Sequence, residues 1–269
     1  MMGRKIFGMD FGTSVVKMYK KGKGVVLEEK NVIAVRDNKK VLAVGDGAYE
    51  MIGKLPEQIA VAMPIKHGVI ADLGYMKMVL NDFLERLTGR GKMKGADYLL
   101  AVPTDITELE KRAFYDLVHQ SNGKPKYVSV VDKPIAAALG MDIDITESRG
   151  IMTVDIGAET TEIAVMSLGG IVLSKIIPIG GRKFDDSIRC AIKKKYNLYV
   201  GEKTAEAVKI ALASAIVPEQ DCVRAYGRDV VSGLPKEVGI QSDVVYEAIK
   251  EQLDAIDRKS TRLNSSHVT

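Results

Sequence analysis

The sequence contains no tryptophan, and its five phenylalanines and ten tyrosines bring aromatics to only 6%. That scarcity removes the stacking platforms on which single-stranded nucleic acids are held. Charge argues the same way: 39 Lys and Arg against 35 Asp and Glu leave a net charge of +4, with no clustered basic stripe of the kind a nucleic-acid surface needs. No nucleic-acid partner is expected. Cysteine is also scarce. Cys190 and Cys222 lie far apart and form no CxxC pair; they read as buried free thiols of a reducing cytosol rather than a disulfide or a metal site. The histidines His67, His119 and His267 have no ligand spacing. The apolar run after Arg4 and Lys5 breaks at Asp10, too soon for a signal peptide, and no stretch reaches the length of a membrane span. A cytoplasmic protein is expected.

What is present suits a globular α/β chain. Hydrophobic residues make up 46% of 269, enough for a sizeable core and more than one folding unit. Ile6 to Met9, Val15 to Tyr19 and Val25 to Leu27 read as three antiparallel strands with glycine-rich turns. Asn31 to Val35 and Val41 to Val44 add strands, and Asp46 to Ile52 suits a short helix. Tyr75, Met76, Val79, Leu80, Phe83, Leu84 and Leu87 share one helical face, stopped by Gly89. Strand Tyr98 to Val102 follows, then a helix opened by the capping-box pair Thr107 and Glu110. Strand Tyr127 to Val131 leads into a helix with Pro134 in its first turn. This alternation marks an α/β layer. From Gly150 strands return at Ile151 to Val154, Glu162 to Met166 and Ile171 to Ile176. Helices then fit Asp185 to Lys195, Thr204 to Ala215 and Ser242 to Ile256.

The informative feature is an internal repeat. Phe7-Gly8-Met9-Asp10-Phe11-Gly12-Thr13-Ser14 and Met152-Thr153-Val154-Asp155-Ile156-Gly157-Ala158-Glu159 each end an apolar strand in Asp-x-Gly. Each is followed by a second strand and a glycine-rich return, Gly22 to Gly24 in one copy and Gly169-Gly170 in the other. One Asp-x-Gly is only a hairpin turn. Two in matched context suit a clamp on a triphosphate: glycine lets backbone N–H groups approach phosphate closely, and two aspartates can hold Mg²⁺ through its waters. Neither a GxxxxGK[ST] loop nor a GxGxxG opening a helix is present.

Gly8-Met9-Asp10-Phe11-Gly12-Thr13, Pro64-Ile65-Lys66-His67-Gly68-Val69-Ile70-Ala71-Asp72, Thr160-Thr161-Glu162-Ile163-Ala164-Val165, Gly201-Glu202-Lys203-Thr204-Ala205-Glu206 and Ser232-Gly233-Leu234-Pro235-Lys236 together resemble the MreB family, within the actin, Hsp70 and sugar-kinase superfamily. The resemblance covers about Ile6 to Ile256. It implies an α/β actin-like (ribonuclease H-like) fold of duplicated domains around a nucleotide cleft. The first domain would span 1–147, with a small subdomain about 33–66. The second would span 148–257, with a small subdomain about 183–240, and would be incomplete. The cofactors implied are ATP and Mg²⁺. Asp10, Gly12, Thr13 and Ser14 resemble the first phosphate loop, and Asp155, Gly157, Thr160 and Thr161 the second, with Asp10 and Asp155 toward the metal. Gly180, Gly181, Glu202 and Lys209 resemble the part contacting ribose and base. On residue pattern alone, Glu202 and Lys209 read as a solvated helix face.

The departures from the family bear on hydrolysis. Lys133 stands where the resemblance places a water-orienting glutamate. Val15 replaces Asn, Ala158-Glu159 replaces Gly-Gly, and Arg182 stands where an acidic residue is usual. Catalytic candidates are Asp132, Lys133 and Thr160, and ATP hydrolysis is expected to be slow. Lys133 and Glu159 are expected to pair, with Asp132 or Arg182 as other partners; the alternative is Glu159 in solvent and Lys133 merely preceding Pro134. The implied function is a filament former beneath the membrane that guides cell-wall synthesis. Its partners would be itself, the wall-synthesis machinery and anionic lipid touched through the cationic loop 88–95. A solvated loop is the other reading of 88–95, and a non-hydrolysing ATP-binding scaffold is the alternative function, ahead of an Hsp70-type or small-molecule-kinase ATPase. Residues 258–269 lack an apolar period and read as a non-native tail on a C-terminally truncated chain.

Overall fold

A computed structural model describes residues 5–37, 40–53, 56, 58–88 and 95–265. The chain forms two compact units, Met1–Ala158 with Glu162–Ile176, and Glu159–Thr161 with Ile177–Thr269. The domain division expected at 147/148 follows the repeat. The compact units follow packing, and the second meander groups with the first unit.

The first unit opens with β1 (Ile6–Phe11), β2 (Val15–Lys20) and β3 (Gly24–Lys30). A smaller sheet of β4 (Ile33–Arg36), β5 (Lys40–Val44) and β6 (Ile59–Ala62) follows, with α1 (Asp46–Met51) beside it; β7 (Ile65–Lys66) pairs with β8 (Val69–Ile70). Then α2 (Leu73–Thr88), β9 (Asp97–Val102), α3 (Glu108–His119), β10 (Tyr127–Asp132) and α4 (Lys133–Gly140) alternate. The second meander is β11 (Ile151–Ile156), β12 (Thr161–Ser167) and β13 (Gly170–Ile177).

The main sheet runs β10-β9-β1-β2-β3. Its β10, β9 and β1 are parallel, whereas β1, β2 and β3 are antiparallel. The period of two along β1 explains its burial: Phe7, Met9 and Phe11 are each 2% exposed on one face, which leaves Asp10 on the other. That buried face joins Met18, Tyr98, Leu100 and Val102 with Val79, Leu80 and Phe83 of α2 and Phe114 and Leu117 of α3 in one core. Phe11 stacks on Phe114 at 6.2 Å between ring centroids. The capping box of α3 forms as expected: Glu110 N–H donates to Thr107 Oγ1, and Thr107 N–H donates to the Glu110 carboxylate. The second meander is a three-stranded sheet, β11-β12-β13. Along β11, Met152, Val154 and Ile156 are 40%, 39% and 47% exposed.

The second unit holds α5 (Gly181–Tyr196), β14 (Leu198–Tyr199), α6 (Glu202–Leu212), β15 (Cys222–Asp229), β16 (Pro235–Gln241) and α7 (Ser242–Ser265). Helix α5 packs on α6 and α7, with Phe184, Ile188, Ile192, Val208, Val245 and Ile249 buried. It ends at Asn197 in the left-handed conformation, one of the few residue types that adopt it readily.

Three expectations change here. Asn31 belongs to the turn before β4 and not to the strand; its side chain is fully buried and bonded to backbone. Cys190 and Cys222 are free, but both are exposed: Cys190 falls off the buried stripe of α5, and Cys222 starts a strand whose inward positions are Val223 and Ala225. Helix α7 does not stop at Ile256. It runs to Ser265, where Ser260 is buried and its hydroxyl donates to the Ile256 carbonyl.

Candidate functional site

Parallel pairing determines where the site forms. The register matches Asp10 to Ala101 and Ala101 to Val131, so β1, β9 and β10 finish at one edge of the sheet. The carboxyl edge of a parallel sheet is where open α/β folds place their ligands. Asp10 ends one of these strands, Thr104 follows the next, and Asp132-Lys133 joins the third to α4. Lys133 Nζ lies 2.8 Å from Asp10 Oδ1, with side-chain exposures of 21% and 41%. Burial alone would push this ammonium down. The carboxylate of Asp10, joined by those of Asp155 and Glu162, outweighs burial and holds Lys133 above the ordinary lysine value. Both repeat aspartates therefore act on one cation.

The first loop is tightly tied. Gly12 N–H donates to the Val15 carbonyl at 3.0 Å. A Cβ on Gly12 would meet that oxygen at 2.6 Å, so only glycine fits this turn. Asn31 Nδ2 donates to the Gly12 carbonyl at 2.9 Å, its N–H to the Ser14 carbonyl at 2.8 Å, and Gly68 N–H to Thr13 Oγ1 at 3.3 Å. The second loop is held through Glu162, which accepts from Thr104 N–H at 2.8 Å and Thr104 Oγ1 at 2.6 Å. Burial raises the Glu162 carboxyl above the usual range; the Thr104 hydrogen bonds and Lys133 oppose that shift without cancelling it. Glu162, Thr104 and Asn31 were not among the expected site residues. The Thr160-Thr161-Glu162 motif was the available signal for the first of them.

In the second unit Thr161 Oγ1 donates to the Ile179 carbonyl at 2.7 Å. Glu159 pairs with Arg182. Lys133 pairs with Asp10, which was not expected, and Glu159 with Arg182, one of the alternative partners expected. The parallel register brings the ends of β10 and β1 to the same edge of the sheet, on either side of β9, which no local pattern reveals. Gly180 caps α5. Lys209 Nζ lies 2.8 Å from Asp185 Oδ1 and donates to the Gly181 carbonyl at 3.1 Å. Glu202 is exposed at the start of α6. Asp132 lies 4.0 Å from Lys111. Gly157 and Thr160 fall between β11 and β12. Residues 89–94, the core of the expected lipid-contacting loop, lie outside the described residues.

A divalent ion at Asp10 and Asp155 does not fit this arrangement. Asp10 is already neutralised by an ammonium. Among the described residues, no three His, Cys, Asp or Glu side chains gather into a group able to hold a metal. Among them, too, no helix is long and apolar enough to cross a membrane.

Comparison with known proteins agrees on one family. The family described as MreB/Mbl protein matches residues 4–265. The chain is 40% identical over 252 residues to the cell shape-determining protein Mbl of Bacillus subtilis (strain 168), covering 93% of this chain and 75% of that one. It is 35% identical over 255 residues to the cell shape-determining protein MreB of Escherichia coli (strain K12), covering 92% and 73%. The crystal structure of MreB5 of Spiroplasma citri bound to ADP superposes with a TM-score of 0.91 at 35% identity, over 97% of this chain and 79% of that one. The MamK double helical filament shares the fold at a TM-score of 0.79 and 21% identity, over 98% and 81%. On this evidence the chain has the actin-like fold and belongs to the MreB/Mbl family.

Proposed function

We propose that the chain is an ATP-binding, actin-like cytoskeletal subunit. It self-associates into filaments at the inner face of the cell membrane and helps determine cell shape by guiding the wall-synthesis machinery. The carrying observation is a half-buried cation, Lys133, 2.8 Å from Asp10 at one Asp-x-Gly strand end and acted on by Asp155 of the other; a fixed ammonium beside such turns is a place for phosphate. MreB5 of Spiroplasma citri, similar to this chain at TM-score 0.91 in both structures, is bound to ADP in one and to AMPPNP in the other. Thr13, Ser14 and the backbone N–H groups around Gly12 and Gly157 would hold the phosphates. Gly180, Gly181, Glu202 and Lys209 would bound the ribose and base. The loop 88–95 is the proposed lipid contact.

Hydrolysis is a weaker part of this function. A protonated lysine cannot take a proton from water, though it can stabilise phosphate charge. Lys133 is such a group; Asp132, next to it in sequence, is the carboxylate that would orient water, with Thr160 in the second loop. Binding without fast turnover is therefore the reading favoured here. Sedimentation of the full chain without nucleotide, with ATP and with AMPPNP tests it. The expected result is pelleting in both nucleotides and little phosphate release. Pelleting that ignores nucleotide, together with no ATP binding by calorimetry, would remove the reading.

A further inference from the structure

We propose that Lys133 is a tethered counter-ion occupying the place of a divalent cation at Asp10, so that this chain binds nucleoside diphosphates and triphosphates without needing Mg²⁺. The inference rests on the nucleotide-binding function proposed above and adds how the phosphate charge is balanced.

The geometry carries it. Lys133 begins α4 directly after β10, and Pro134 next to it is buried. The backbone that carries the lysine is therefore held at a strand-to-helix junction. Its ammonium reaches Asp10 Oδ1 at 2.8 Å, with only 21% of the side chain exposed. Asp155, the counterpart of Asp10 in the repeat, also acts on this ammonium, as does Glu162. One fixed cation thus stands among the carboxylates that would attract a free one. A divalent ion beside Asp10 would face a like charge a few ångströms away, where repulsion is strong in a partly desolvated site. A nucleotide phosphate would instead meet an ammonium already in position, able to donate charge-assisted hydrogen bonds. Lysine suits this use because its compact ammonium is a point charge on a flexible stem.

Fluorescent methylanthraniloyl-ADP, titrated into the full chain in Mg²⁺ and in EDTA, tests the proposal by affinity alone. The parent Kd should change less than about three-fold when Mg²⁺ is removed, well under one charge-assisted hydrogen bond. Lys133→Ala should weaken binding in EDTA by about ten-fold, with Mg²⁺ recovering much of the loss, whereas Lys133→Arg should keep the parent's indifference to Mg²⁺. Circular dichroism melts establish that each variant is folded. Should Lys133→Ala fail to fold, the parent titration and Lys133→Arg still decide the matter. A parent Kd that rises more than about ten-fold in EDTA overturns the counter-ion role while leaving nucleotide binding intact. No binding in either buffer instead overturns the function on which it rests.

Discussion

The two loops share an apolar strand ending in Asp-x-Gly and end in different surroundings. In the first, Met9 and Phe11 flank Asp10 and are buried at 2% exposure, because β1 has β9 on one side, β2 on the other, and helices over its apolar face. In the second, the matched residues Val154 and Ile156 are 39% and 47% exposed, because β11 ends a three-stranded sheet. Asp10 is paired with an ammonium at 2.8 Å; Asp155 adds its field to that same ammonium from an exposed strand end. A repeated motif thus duplicates the chemistry of a turn without duplicating its support. The meander strands are repeated, β12 beside β11 as β2 is beside β1; among the described residues the parallel neighbour β9 has no counterpart on the other side of β11.

The comparison is broken most visibly in the core. Phe11→Ala should cost about 3–5 kcal/mol through lost burial and a cavity beside Phe114, whereas the matched Ile156→Ala should cost under about 1 kcal/mol. The chain has no tryptophan, so urea unfolding followed by circular dichroism is the measurement. Equal losses would show that β11 is covered in solution. The next contrast concerns how the loops are tied. Asn31→Ala leaves the half-buried Gly12 carbonyl without its side-chain donor and should cost about 1–3 kcal/mol. Glu162→Gln keeps an oxygen that can accept from Thr104 and should cost less than about 1 kcal/mol. A Glu162→Gln loss as large as that of Asn31→Ala would mean that the charge of Glu162, rather than its hydrogen bonds, secures the second loop.

The smallest contrast is between the aspartates. Asp10→Asn should cost about 1 kcal/mol, discounted for partial exposure, and Asp155→Asn less than about half of that. The sign with pH follows from Lys133. Its folded value is raised, so the pair's contribution is fully present below the ordinary lysine value and is lost only as pH rises through the folded one. The Asp10→Asn penalty should therefore stay level from neutral pH up to the ordinary lysine range and shrink beyond it. A penalty that fades near neutral pH would contradict the pairing.

Much of this was legible in the sequence, and the losses have definite causes. The repeat, the α/β alternation and the Thr107 to Glu110 capping box were visible because each is a local pattern with its own period or spacing. Helix α2 was legible from one apolar stripe. Strands β15 and β16 were not assigned. The inward positions of β15 are Val223, Ala225 and Gly227, small residues between Arg224, Tyr226 and Arg228, and such an alternation barely differs from a polar loop. Lys133 stood out as a departure, yet its partner was misjudged, because the contact depends on parallel register between distant strands. Asn31 escaped notice because its role is to bond backbone inside a turn. The two cysteines were placed by the habits of their residue type, and exposure overrode them.

The parallel register of β1, β9 and β10 also has a consequence for the order in which the molecule assembles. The first loop needs its own meander, Asn31 and, farther along, Gly68, all of which precede β9 and β10 in the chain. Its cation comes from the far end of the sheet, after two strands have docked in parallel through intervening helices. Closing such long loops is slow compared with forming a hairpin. A growing chain therefore exposes Asp10 and its turn well before Lys133 exists to neutralise it. Until β10 is laid down beside β9, the loop is an acidic turn that repels phosphate, so a nucleotide bound as proposed would stabilise the finished sheet and would not guide its early steps.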